Sequence, residues 1–100
     1  MNNIIVNNVL QLKQIGKKHR VKQMYAFGSV CTEKFHKNSD IDFIIAFENR
    51  YFDNYVENFF ALEDELQKLF NRKIDLVVEE TIKNPFFIKV VNKTKTPIYE

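Results

Sequence analysis

Three groups of residues have types and spacings suited to chemistry. Gly28-Ser29 ends an apolar run, Val21 to Phe27, that has the β-branched and aromatic content of a strand. Where a strand turns into a helix, backbone amides and the positive end of the helix dipole face outward together, and such a corner binds phosphate. Glycine lets a ligand approach the backbone closely, and the serine hydroxyl can add a hydrogen bond to a phosphate oxygen. The plain alternative is a turn glycine followed by a capping serine. Asp40-Ile41-Asp42 opens a second apolar run, Ile41 to Phe47. Side chains two apart on a strand point to one face with Cα atoms ~6.6 Å apart, so both carboxylates can close on the same small volume. They repel there unless a cation lies between them, and Mg²⁺ is commonly held by one or two protein carboxylates plus substrate phosphates. The alternative is one loop aspartate and one solvent-facing strand aspartate. Asp75 stands inside Lys73-Ile74-Asp75-Leu76-Val77-Val78. A desolvated carboxylate without a partner would cost several kcal/mol there. It either faces the site of Asp40 and Asp42 from a neighbouring strand, lies on an open face of the sheet, or pairs with Lys73 or Arg72.

Singly, each feature has an ordinary explanation; jointly they are much harder to dismiss. A Gly-Ser pair at a strand end, ten residues before Asp-x-Asp, with a third carboxylate on a later strand, assembles a recognisable chemistry. Three carboxylates can hold two Mg²⁺, and the metals can bridge a triphosphate whose tail rests on Gly28-Ser29. One metal would lower the pKa of an attacking hydroxyl while the other stabilises a pyrophosphate leaving group. That reaction is nucleotidyl transfer.

The elements that must position these residues follow from periodicity. Asn2 and Asn3 suit a helix cap, and Ile5, Val9, Leu12 and Ile15 recur at helical spacing up to Gly16, read as the left-handed residue beyond the helix end. Lys17, Lys18, His19 and Arg20 then read as a solvated helix terminus favoured by the dipole, with anion binding as the alternative. Strands are predicted over Val21–Phe27, Ile41–Phe47 and Lys73–Val78, and one or two helical turns between Ser29 and about Phe35. Asp53 is placed to cap a long helix ending near Asn71, with Val56, Phe59, Phe60, Leu62, Leu66, Leu69 and Phe70 as its apolar stripe. Asn84-Pro85 opens a short helix through about Asn92, and Thr96 to Tyr99 reads as an edge strand because Pro97 would not suit a central one. Helices alternating with strands predict an α/β sheet covered by helices.

Composition narrows what such a site can belong to. One hundred residues, with ten Phe and four Tyr, allow one core, so a single domain over 1–100 is expected. The longest apolar run, Phe43 to Phe47, is far short of the about 20 residues a membrane span needs. No secretory signal is visible, and a cytoplasmic setting is the default. Cys31 is alone, which excludes an internal disulfide and a multi-cysteine zinc site. With no identifiable His and acid partner it is read as a buried spacer rather than a nucleophile, and His19 and His36 lack metal-ligand spacing. The net charge of +2 does not by itself point to nucleic acid.

Phe27-Gly28-Ser29, ten residues, Asp40-Ile41-Asp42 and later Ile74-Asp75-Leu76 resemble the signature of the minimal nucleotidyltransferases of the DNA polymerase β superfamily. The likeness runs over nearly the whole chain, including Asn84-Pro85-Phe86-Phe87 and the close Pro97-Ile98-Tyr99-Glu100. It implies a small mixed β-sheet flanked by helices, with Asp40 and Asp42 holding the metals and Asp75 completing the metal site and helping to activate the acceptor hydroxyl. Many such standalone domains are antitoxins encoded beside a helical HEPN ribonuclease toxin, and studied members neutralise it by transferring AMP to a toxin tyrosine. The resemblance therefore implies ATP as substrate, Mg²⁺ as cofactor and a hetero-oligomer with a HEPN-type partner, without nucleic acid or membrane. Small-molecule nucleotidyltransferases that modify aminoglycosides resemble this core but add a helical domain, so a chain this short is expected to meet its acceptor on another chain.

The sequence departs from the family where Val30-Cys31-Thr32-Glu33-Lys34 replaces a run rich in Arg and Gly. A cation expected at the triphosphate is missing there. Three carboxylates, two Mg²⁺ and a nucleotide leave roughly −3 of charge for the protein to balance, with Lys34, His36 and Lys37 as candidates. Two other readings stand beside the enzyme. One is a binding module that neutralises its partner by contact; the other is a small RNA-directed transferase, for which Lys17 to Lys22, Lys89, Lys93 and Lys95 speak.

Overall fold

A computed structural model describes residues 3–49 and 52–100. The amino-terminal helix is two segments, α1 (Asn3–Val6) and α2 (Val9–Lys18). Asn3 lies in the helix rather than capping it, and Asn2 falls outside the described residues. The break follows from Asn8, whose side-chain amide donates to the Ile4 carbonyl at 2.7 Å and so competes with the helical ladder. Gly16 does not end the helix. It is buried inside α2, against the Tyr99 ring, and Arg20 takes the left-handed position instead, at φ 66°.

Strands β1 (Val21–Phe27) and β2 (Ile41–Phe47) lie where the apolar runs predicted them. The long helix α3 spans Tyr55–Phe70 and ends at Asn71, left-handed at φ 51°. Asp53 does not cap it. Asn54 occupies that position in a left-handed conformation without a side-chain cap hydrogen bond. Strand β3 covers Ile74–Val78, α4 runs Pro85–Thr94, and β4 is Thr96–Tyr99. Asn84 caps α4 by accepting from the Phe86 amide at 2.9 Å, as Asn-Pro at a helix start leads one to expect.

The sheet order is β3-β2-β1-β4, with β2 and β3 parallel and the other pairs antiparallel. A parallel pair needs a long crossover, which α3 provides. Alternation then assigns two faces. Met24, Ala26, Phe43, Ile45 and Leu76 join Ile5 and Leu12 of the first helices and Leu62, Leu66 and Phe70 of α3 in the main core. Each such aliphatic or Phe side chain, fully buried, stabilises by roughly 1.5–3 kcal/mol. Val56 and Phe60, expected in the same stripe, are instead 60% and 59% exposed, because α3 presents Leu62, Leu66 and Phe70 to the sheet. On the opposite face Phe27, Ile44 and Val91 form a smaller cluster with Tyr25, Val77, Ile82 and Phe87, so α4 covers part of the face from which Asp42 and Asp75 project. No helix among the described residues is long and apolar enough to cross a membrane.

Candidate active site

Strand register brings two of the acidic residues, Asp42 and Asp75, together. Phe27 pairs with Asp42 across β1 and β2, and Asp42 pairs with Asp75 across β2 and β3. With a side-chain period of two, Asp42, Ile44, Asp75 and Val77 share one face. Asp75 is exposed at the surface of that face, and among the described residues it has no ion-pair partner, neither Lys73 nor Arg72. Asp40 precedes β2, half-buried, and its carboxylate lies 3.9 Å from the Lys73 ammonium. The Lys73 end of that pair is largely in water and the contact is long, so it contributes little.

Asp42 is the electrostatic centre. Partial burial, then the charges of Asp75 and Asp40, push its carboxyl up from 3.8 to about 6. Gly28 closes over it. That residue has φ +75°, and a Cβ there would collide with Asp42 Oδ2. Only glycine combines a left-handed backbone with so close an approach.

The turn itself differs from the long helix that would give a full dipole. Gly28–Cys31 is a single 3-10 turn followed by irregular chain. The Gly28 amide donates to Thr94 Oγ1 at 2.8 Å. The Ser29 carbonyl accepts from the Thr32 amide and hydroxyl at 2.9 and 3.0 Å, while the Ser29 hydroxyl has no protein partner among the described residues. Cys31 is half-buried against the main core, as a spacer would be.

Lys34, His36 and Lys37 all lie exposed on the loop leading to Asp40. His36 Nδ1 accepts from the Asn38 amide at 3.1 Å. Sequence reasoning missed the residue that organises this loop. Arg72 donates to the carbonyls of His36 and Ser39 at 3.2 and 2.8 Å and stacks on Phe35, its guanidinium 4.6 Å from the ring centroid. A lone arginine beside a helix end carries no periodic signal; only the fold places it next to Asp40. The run Lys17 to Arg20 is also not simply solvated. His19 is buried, with Nδ1 3.1 Å from Asn58 Oδ1 and Nε2 against Glu65, and Arg20 stacks on Phe52.

Among the described residues no three His, Cys, Asp or Glu are gathered closely enough to form a ready metal cage. The donor set nevertheless suits Mg²⁺. It is all carboxylate oxygen, its members raise the energy of one another's charge at Asp42, and Mg²⁺ commonly takes one or two protein carboxylates and completes its shell with water and phosphate.

A family model described as "Polymerase beta, Nucleotidyltransferase" matches residues 10–100. A Methanocaldococcus jannaschii protein named "Putative protein adenylyltransferase MJ0128" is 36% identical over 81 residues, 81% of this chain and 80% of its own. A solved structure described as a "putative minimal nucleotidyltransferase" superposes with a TM-score of 0.77 at 21% identity, covering 97% of this chain and 96% of that one. A chain of a solved structure described as "tri-AMPylated Shewanella oneidensis HEPN toxin in complex with MNT antitoxin" superposes with a TM-score of 0.67 at 14% identity, covering 95% of this chain and 71% of that one. The mixed sheet and flanking helices are thus those of a nucleotidyltransferase fold. By sequence and fold together, the chain belongs to the polymerase β nucleotidyltransferase family.

Proposed function

We propose that this chain transfers AMP from ATP to a hydroxyl of a helical HEPN-type partner, as an antitoxin that modifies a ribonuclease toxin. The observation that carries the reading is the register pair Asp42–Asp75 on one sheet face, with Gly28 packed against Asp42. The names of the relative and of the AMPylated complex support the nucleotide and the partner. Asp40, Asp42 and Asp75 would hold Mg²⁺, which supplies charge neutralisation at the transferred phosphoryl group and at the departing pyrophosphate. Gly28 and Ser29 seat the triphosphate, the free Ser29 hydroxyl donating to a phosphate oxygen. Asp75, the most exposed of the three, takes the proton of the acceptor hydroxyl as its oxygen bonds to the α-phosphorus. The bond from that phosphorus to the bridging oxygen breaks, and pyrophosphate leaves.

The acceptor comes from another chain. The large apolar side chains left in water, Val56, Phe60, Phe86 and Val90 among them, suit a protein that functions in contact with a partner. The same exposed apolar side chains would also serve a rival reading, neutralisation by contact alone. Both are tested by incubating the chain with the product of its adjacent reading frame, α-labelled ATP and Mg²⁺. Covalent label on the partner, lost in Asp42→Asn, is the expected result. If Asp42→Asn labels as well as the wild type, or neither labels and both still block the partner, the transfer reading fails. Label on RNA instead would assign an RNA-directed transferase.

A further inference from the structure

We infer that Thr94 is a positioning residue for the nucleotide site, holding the Gly28-Ser29 turn in the shape that receives the triphosphate. The inference rests on the nucleotidyltransferase reading of that turn and adds to it a residue from a distant element. Gly28 is constrained twice. Its Cα side is blocked by Asp42, and its amide donates to Thr94 Oγ1 at 2.8 Å. Thr94 is the last residue of α4 and is itself fixed. Its carbonyl accepts from the Thr96 hydroxyl at 2.9 Å, and the Lys95 amide closes onto Val91 at 2.7 Å. Helix α4 is in turn seated on β1, through Val91 in the smaller core and an edge-to-face contact of Phe87 with Phe27, ring centroids 5.9 Å apart. Phe27 directly precedes Gly28. A rigid path therefore runs from α4 into the turn, and it ends on a single hydroxyl.

The chemistry explains why a hydroxyl is needed. A hydroxyl oxygen can accept the Gly28 N–H while keeping its own proton for another acceptor, whereas an apolar side chain of the same shape leaves a half-buried amide without a partner. Thr94 acts through Gly28, the residue its hydroxyl oxygen holds.

Thr94→Val keeps the shape and removes the acceptor; Thr94→Ser keeps the acceptor. With a non-hydrolysable ATP analogue and Mg²⁺, calorimetry should show Thr94→Val binding about tenfold more weakly and Thr94→Ser binding as the wild type does. In turnover the loss should fall on KM for ATP, with kcat within about twofold. The sequence holds two glycines, so the Gly28 amide is easily assigned by NMR, and its hydrogen exchange should speed up in Thr94→Val alone. Thr94→Ala serves as a second hydroxyl-free variant should the valine perturb folding. Unchanged analogue binding and unchanged Gly28 exchange in the hydroxyl-free variants would overturn the inference. A wild type that binds no analogue would instead overturn the nucleotide-site reading, and Gly28 exchange would still judge the role of Thr94.

Discussion

Asp42 concentrates the tension of the site in one carboxyl. Its folded-state value of about 6 stands above the ordinary 3.8. Between those values the folded chain holds a proton that the unfolded chain has lost, so stability falls as pH rises from about 4 to about 6 and stays reduced above. Asp42→Asn removes that cost. With the discount for partial exposure, the variant should gain on the order of 1 kcal/mol at pH 7, or about 4–8 °C in Tm, and nothing at pH 3. Thermal melts at the two pH values check it; a lower Tm for the variant at pH 7 would show that Asp42 is not under strain. Asp42 was legible in the sequence because a two-residue spacing is itself a geometric statement. Asp75 was legible only as one of three possibilities, since register decides which strand faces which. Thr94 and Arg72 were not legible at all. Their contacts, to Gly28 and to the loop before Asp40, join segments that no local pattern connects.

At the scale of elements, two joints hold the helices to the rest. The first is between α2 and α3, where Lys18 Nζ lies 2.8 Å from Glu65 Oε1 and buried His19 meets the other carboxylate oxygen. Hydrogen bonds from Lys18 and then His19 hold the Glu65 carboxyl below its ordinary 4.5. A depressed carboxyl contributes stability above its unfolded value and loses it as pH falls through the folded one. Glu65→Gln should therefore cost about 0.5–1 kcal/mol at pH 7, the side chain being partly in water, and close to nothing at pH 2. Urea melts at both pH values measure this. The second joint is Gly16 against Tyr99, whose hydroxyl donates to the Val21 carbonyl at 2.8 Å. Alanine in mid-helix would normally gain about 0.8–1 kcal/mol over glycine. Here Gly16→Ala should lose about 1–3 kcal/mol by overpacking, with part recovered when Tyr99→Phe removes the nearest atom. The same residue shows why helix ends were less legible than strands. Gly16 has the composition of a helix stop, but the ring of Tyr99, far along the chain, demands a residue without a side chain. The strands were legible because β1 and β2 bury nearly every second residue or more, and Pro97 marked β4 as an edge.

For the molecule as a whole, ligand binding should dominate stability. If the acidic row and the Gly28 turn form the nucleotide site, an ATP analogue with Mg²⁺ at a hundredfold its Kd stabilises the chain by about 2.7 kcal/mol. That corresponds to a rise in Tm of about 10–20 °C, absent in Asp42→Asn and Asp75→Asn. An equal rise in the variants would move the site elsewhere. The fold class was legible in the alternation of helical and strand patterns, whereas the order β3-β2-β1-β4 was not, because neighbours in a sheet are chosen by whole surfaces rather than by local spacing. The parallel pairing of β2 with β3 across α3 also bears on the route by which the chain folds. Parallel pairing over a long crossover is intrinsically slow, and we predict that the like charges of Asp42 and Asp75 meet only after the rate-limiting step. Their repulsion then acts on the unfolding limb of the chevron, and neutralising either carboxylate should slow escape from the native state while leaving the refolding rate nearly unchanged.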